Sequence, residues 1–138
     1  MTAFELRSHT ADLAVFAAGA GFAEALAEVA RGMFSYIADL DTVSARGHIE
    51  VEVDSTDPEA LVVDWLNELL YRYETERFLP IEFNVSLDNQ GMGLKARCLG
   101  ETVDPSRHRI KAVVKAATYH GLRIVHNGRW EITVVLDV

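Results

Sequence analysis

Oxygen is the ligand chemistry this sequence offers. Asp12 closes the run SHTAD at residues 8–12, Asp39 and Asp41 stand in ADLD, and the chain ends in LDV, with Asp137 beside the terminal carboxylate of Val138. Carboxylates and carbonyls are ligands of hard divalent cations such as Ca²⁺ or Mg²⁺. Softer chemistry lacks its residues: Cys98 is alone, and His9, His48, His108, His120 and His126 show no HxxxH or CxxC spacing, so a zinc site has no support. No nucleophile elbow supports a Ser or Cys hydrolase. The glycine-rich AAGAGFAEA lacks the lysine of a phosphate-binding loop and reads as a turn from a strand into a helix. Taken singly, each aspartate also has a plainer reading as a turn residue, a cap or a solvated charge. Asp137 is less plain, because an acid after the apolar run VVL falls at the rim of a sheet.

A second concentration of chemistry is AVVKAATYHGL at residues 112–122, which carries Lys115, Thr118, Tyr119 and His120 close together. The bland alternative is a lysine that snorkels and a histidine paired to a backbone carbonyl. Just upstream, Arg107, Arg109 and Lys111 join Lys115 in a basic cluster, which reads as a solvated helix face or a protein-contact surface before it reads as a nucleic-acid groove. Thirteen Lys and Arg against twenty-one Asp and Glu leave a net charge of −8. The averaged field therefore repels polyanions and disfavours binding to RNA or DNA through backbone neutralisation.

The elements that position these residues fit one domain, 1–138, with 49% apolar and 25% charged residues. No apolar run approaches the ~18 residues that span a bilayer, and the N-terminal residues lack an apolar leader core. A lone cysteine forms no internal disulfide and suits a reducing cytoplasm. Phe22, Leu26, Val29, Met33, Phe34 and Ile37 recur at helical spacing, and Asp57 with Pro58 marks the start of a second long helix over 58–77. HIEVEVDS alternates as a strand, and IEFNVSL and MGLKARCLGETV flank DNQG as a hairpin. Ile110, Val113, Val114 and Ala117 predict a short third helix ending at Gly121, although Val113, Val114 and Thr118 are β-branched. LRIVH and RWEITVVLDV, joined at Asn127 and Gly128, predict a closing hairpin with a tight primed turn. The expected fold is α+β: a two-layer sandwich of a mainly antiparallel or mixed sheet with two long helices and one short helix.

Together SHTADLAV, FAEALAEVARGMF, DPEALVVDWLNELLY, HRIKAVVKAATYHGLRI and the closing VVLDV resemble the archease family, nearly end to end and in the family's order. Each motif is short, but jointly they are specific. The resemblance implies an accessory protein of RtcB-type RNA ligases, which join RNA ends bearing a 3′-phosphate or cyclic phosphate to 5′-hydroxyls in tRNA splicing and RNA repair. Such a protein promotes guanylylation and multiple turnover of the ligase, broadens its nucleotide use, and is no ligase itself. The family's divalent-metal site falls by resemblance on Asp12, Asp137 and Val138, with calcium the first candidate and magnesium or manganese the alternatives. Lys115, Thr118, Tyr119 and His120 match the family's stretch, with Ala117 where a larger aliphatic residue is common. Asp41 falls where an acid often follows the first helix, and Gly21 replaces a frequent Thr-type cap. Lys115, His120 and Asp41 are then candidates for meeting the partner's site, and no catalytic residue of its own is implied.

The implied partner is an RtcB-type ligase in the cytoplasm, with neither strong direct nucleic-acid binding nor a membrane. An acidic protein is steered to a basic ligase surface without competing for RNA. The residues alone leave two other classes open: a free-standing metal-dependent phosphoester hydrolase using the same carboxylates, and a chaperone-like binding module.

Overall fold

The computed structural model describes residues 3–9, 12–88 and 90–138, without the side chains of Ser8 and His9. Among the described residues, seven strands form two antiparallel sheets. Strands β1 (Ala3–His9), β2 (Asp12–Gly19), β6 (Ala116–His126) and β7 (Trp130–Asp137) make the larger, in the order β1-β2-β7-β6. Strands β3 (Gly47–Asp54), β4 (Phe78–Leu87) and β5 (Gly93–Thr102) make the smaller, in the order β3-β5-β4. The expected single sheet is thus two. Helices α1 (Phe22–Ile37) and α2 (Pro58–Glu76) each touch both sheets and bind them into one apolar core.

The helices form where the periodicity puts them. All six apolar residues of the α1 stripe are buried, and Gly32 lets α1 settle close on the larger sheet: a Cβ there would stand 2.7 Å from Val15 Cγ1 and 3.2 Å from Phe4. At α2, Asp57 Oδ1 accepts the Ala60 amide at 2.7 Å, so the cap forms as the sequence implied. Gly21 caps α1 with no side-chain hydrogen bond. Trp65 is fully buried, its indole N–H donating to the Leu26 carbonyl at 2.9 Å and its ring meeting Phe83 edge-on at 6.1 Å. Cys98 lies buried in β5, the middle strand of the smaller sheet, and burial pushes its thiol up to about 12. No helix among the described residues is long and apolar enough to cross a membrane.

Two expectations fail near the C-terminus. The short third helix is absent: residues 111–115 are irregular, and Ala116–His126 is strand β6. Of its apolar set only Val114 and Ala117 are buried, while Ile110 is 41% and Val113 71% exposed, so no helical face had a core to bury against. The β-branched residues favour the extended chain instead. Gly121, proposed as a helix cap, has φ +71° and sits where the β6–β7 register shifts between Thr118 and Arg123. It supplies a bulge, where glycine adopts positive φ without strain. The closing hairpin is present, but His126 pairs with Trp130, so three residues and not two connect the strands.

Candidate functional site

Register assembles the candidate residues at one end of the larger sheet. Leu13 pairs with Leu136, so one step further along the β2–β7 ladder brings Asp12 opposite Asp137. On the other flank of β7, Ala116 pairs with Asp137, and the Lys115 amide donates to the Asp137 carbonyl at 2.8 Å. Leu136 is fully buried, so by strand alternation Asp137 turns outward and is exposed, with Asp12 half-buried beside it. Val138 is half-buried against the core. Residues 125 positions apart in sequence thus share one rim. Of SHTAD itself, Thr10 and Ala11 lie outside the described residues.

A strap of residues 103–115 runs from the end of β5 to the start of β6 and is tied down along its length. The Lys111 and Ala112 amides both donate to the Ile37 carbonyl, at 2.7 and 3.2 Å, and the Arg109 carbonyl accepts from Asp39 at 2.9 Å. The strap therefore joins the C-terminal end of α1 to the Asp137 rim. Asp41 lies beside it in a 3₁₀ turn, Leu40–Thr42, with its amide on Asp39 Oδ1 at 3.2 Å. Asp41 is exposed and lines a surface cleft of about 460 Å³ with Glu28, Arg31 and Glu82, so it does not converge with Asp12 and Asp137. His120 is exposed on β6 beside the Gly121 bulge and has an interaction of its own there. Lys115 is exposed at the end of the strap.

Two arrangements escaped the sequence reading. Glu101 is 7% exposed, and its Oε1 accepts from Arg107 at 2.6 Å while Oε2 takes the Ser44 amide at 2.7 Å and His108 Nε2 at 3.0 Å. His108 Nδ1 accepts the Asp104 amide at 2.8 Å, which leaves the proton on Nε2 to be donated to Glu101. The Arg107 hydrogen bond first, then the Ser44 amide and His108, hold the Glu101 carboxyl well below the usual carboxylate range. This buried cluster anchors the strap at its β5 end. The second arrangement is a bracket: Asn67 of α2 accepts the Ala117 amide at 2.8 Å and donates to the Ala117 carbonyl at 3.2 Å. A polar residue between Val63 and Leu70 on the buried stripe of α2 was the signal for it.

Chemically, the rim offers two carboxylates on adjacent strands, main-chain oxygens at Val138, and the exposed Lys115 where the strap meets β6. Among the described residues no three His, Cys, Asp or Glu side chains gather to hold a metal ion. Carboxylate and main-chain oxygens are the characteristic ligand types of hard cations and not of zinc.

Comparison with known proteins decides the lineage. The profile of the Archease protein family matches residues 4–138. The chain belongs to the archease family. Protein archease of Sulfurisphaera tokodaii is 35% identical over 139 residues, covering 100% of both chains. Protein archease of Thermococcus gammatolerans is 37% identical over 142 residues, again covering 100% of both. The solution structure of Methanobacterium Thermoautotrophicum Protein 1598 superposes with a TM-score of 0.83 at 31% identity, over 98% of each chain. The two-sheet α+β architecture described above is thus an archease fold, and the motifs that carried the resemblance are the segments that meet in it: WLNELLY supplies Asn67, and VKAATYH supplies the Ala117 that Asn67 brackets.

Proposed function

We propose that this protein is a non-catalytic accessory factor of an RtcB-type RNA ligase, promoting its guanylylation and multiple turnover and broadening its nucleotide use. Family membership supports the accessory role. The observation that carries the finer reading is the rim itself: Asp12 and Asp137, on the paired strands β2 and β7, meet Lys115 at the end of the strap, bonded through the Lys115 amide and the Asp137 carbonyl. Asp12, Asp137 and Val138 would hold a divalent cation, calcium first with magnesium or manganese as alternatives, and such an ion supplies positive charge to phosphate oxygens. Lys115, its backbone held by the Asp137 carbonyl, adds a positive charge beside the same rim, which strengthens attraction for a triphosphate or a developing phosphoryl charge. His120 on β6 and Asp41 in its separate cleft lie outside this rim and would meet the ligase at other points of its surface.

The test is a ligase multiple-turnover assay with and without the purified protein, using RNA ends with 3′-phosphate and 5′-hydroxyl. We expect one round of joining without it and many with it. Equal turnover in both, or hydrolysis of phosphoesters by the protein alone, would overturn the reading.

A further inference from the structure

Charge is spread very unevenly along this chain. From Pro105 to Trp130 there is no acidic residue, while Arg107, Arg109, Lys111, Lys115, Arg123 and Arg129 make six of the thirteen cations. All twenty-one acids lie elsewhere. The strap is where this acid-free stretch first meets solvent. Arg107 is taken up by Glu101 and Asp104, but Arg109, Lys111 and Lys115 are exposed, and no carboxylate among the described residues pairs with them. Between these cations stand Ile110 and Val113, 41% and 71% exposed, and Tyr119 follows at 58%. Three of the six large exposed hydrophobics among the described residues therefore fall within ten positions.

A single exposed valine on a loose loop means little. Here the backbone is not loose. Four main-chain hydrogen bonds, to Ile37 twice, to Asp39 and to Asp137, fix residues 109–115, and His108 and Val114 are buried beneath them. Ile110 and Val113 are thus held out into water by a chain whose backbone is bonded to α1 and β7 and whose His108 and Val114 are buried. Such an arrangement lowers the ordering cost of binding, because the contact surface is already set.

We propose that residues 109–115 are the docking face for the ligase, with Ile110 and Val113 entering an apolar pocket whose acidic rim meets Arg109, Lys111 and Lys115. This rests on the ligase reading above. Charge complementarity selects the partner's chemistry: a nucleic acid would use the three cations and leave the two aliphatic side chains wet, whereas an acidic-rimmed pocket on a protein uses both. Docking here also sets the Asp12–Asp137 rim against the partner, since Lys115 ends the strap and is bonded to Asp137.

The experiment measures binding of the purified ligase to wild type, Val113→Asp, Ile110→Ser and Lys111→Glu, by calorimetry for affinity and surface-immobilised kinetics for rates. Thermal unfolding checks each fold, which exposed positions should preserve. Val113→Asp and Ile110→Ser are each expected to weaken binding about tenfold or more, as truncated anchors do. Lys111→Glu is expected to slow association, with a defect that shrinks as salt rises. Wild-type binding matched by both aliphatic variants overturns the docking face and leaves the ligase reading intact. Absence of wild-type binding overturns both. A 3′-phosphate RNA stem-loop that binds wild type but not Lys111→Glu, while ligase binding ignores Val113→Asp, makes the strap a phosphate contact and overturns the proposal.

Discussion

Removing the Asn67 side chain disconnects α2 from the first residues of β6. Ala117 belongs to the edge strand of the larger sheet, and both its amide and its carbonyl turn away from β7 to meet the Asn67 side-chain amide. Ala117 is 5% exposed, so in Asn67→Ala these two groups would face protein and not bulk water. A net hydrogen bond contributes about 0.5–1.5 kcal/mol, and a buried group left unpaired costs about 1–3 kcal/mol. Two such groups set the expected loss at about 2–4 kcal/mol, softened where water enters. For a chain of this length that lowers the melting temperature by roughly 7–14 °C. Asn67→Asp keeps an acceptor for the Ala117 amide but sets a second carboxylate oxygen against the Ala117 carbonyl. It should be no more stable than the Ala variant at pH 7 and should recover relative to it on acidification, when the carboxyl gains a proton to donate. Urea unfolding followed by circular dichroism gives the free energies, and amide exchange at Ala117 reports the local opening. A loss below about 0.5 kcal/mol in Asn67→Ala, with Ala117 exchange unchanged, would show that β7 alone holds β6 and refute the reasoning.

Trp65→Ala should cost about 3–5 kcal/mol in the same urea assay, since it empties a fully buried site and removes the bond to Leu26; a loss under about 1 kcal/mol would contradict that account. Asp12→Ala combined with Asp137→Ala should abolish Ca²⁺ and Mg²⁺ binding in calorimetric titration while the domain stays folded, and Asp137→Ala alone should weaken it; unchanged affinity in the double variant sinks the rim as a metal site. Lys115→Ala should lose most stimulation of ligase guanylylation at limiting nucleotide, with fold and metal binding retained and partial recovery in Lys115→Arg; full stimulation by the Ala variant would leave Lys115 a solvated side chain. Glu101, with its folded carboxyl held below the ordinary value, contributes stability that is present above the unfolded glutamate pKa of about 4.3 and is lost as pH falls through the folded value. Glu101→Gln should therefore be less stable at pH 7 and flatter in its acid unfolding profile, and a wild-type profile in the variant would refute the cluster's role.

Where local pattern and burial agree, the sequence foretells the structure. The α1 stripe and the Asp57 cap are such places, because periodicity and capping are properties of neighbours in the chain. The strap is the opposite case. Ile110, Val113, Val114 and Ala117 have helical spacing, yet two of the four face water, and the segment's amides find Ile37 and Asp137, partners that no local rule names. The candidate rim was legible only as residue types. That Asp12 and Asp137 are neighbours depends on β2 and β7 pairing across more than a hundred intervening residues, and register of that kind is decided by the whole core. The Glu101–His108 pair was illegible for a similar reason: seven residues apart, the two look like unrelated surface polar residues until the strap folds back and buries them.

Cys98 makes this molecule its own stopwatch. The thiol faces the core from the middle strand of the smaller sheet, paired in register with Ile49 on one side and Phe83 on the other. Held up at about 12, it is almost wholly un-ionised at neutral pH, and its burial keeps out alkylating reagents while the sheet is closed. Labelling must therefore wait for β3 or β4 to part from β5. With no other sulfhydryl in the chain, every modified molecule records an opening that exposed Cys98, and a mass spectrum taken over time reads the opening rate at reagent concentrations where labelling outruns reclosing. The same shielding means that storage in air leaves the folded chain monomeric with respect to disulfides, and any covalent dimer that accumulates is a record of chains that opened.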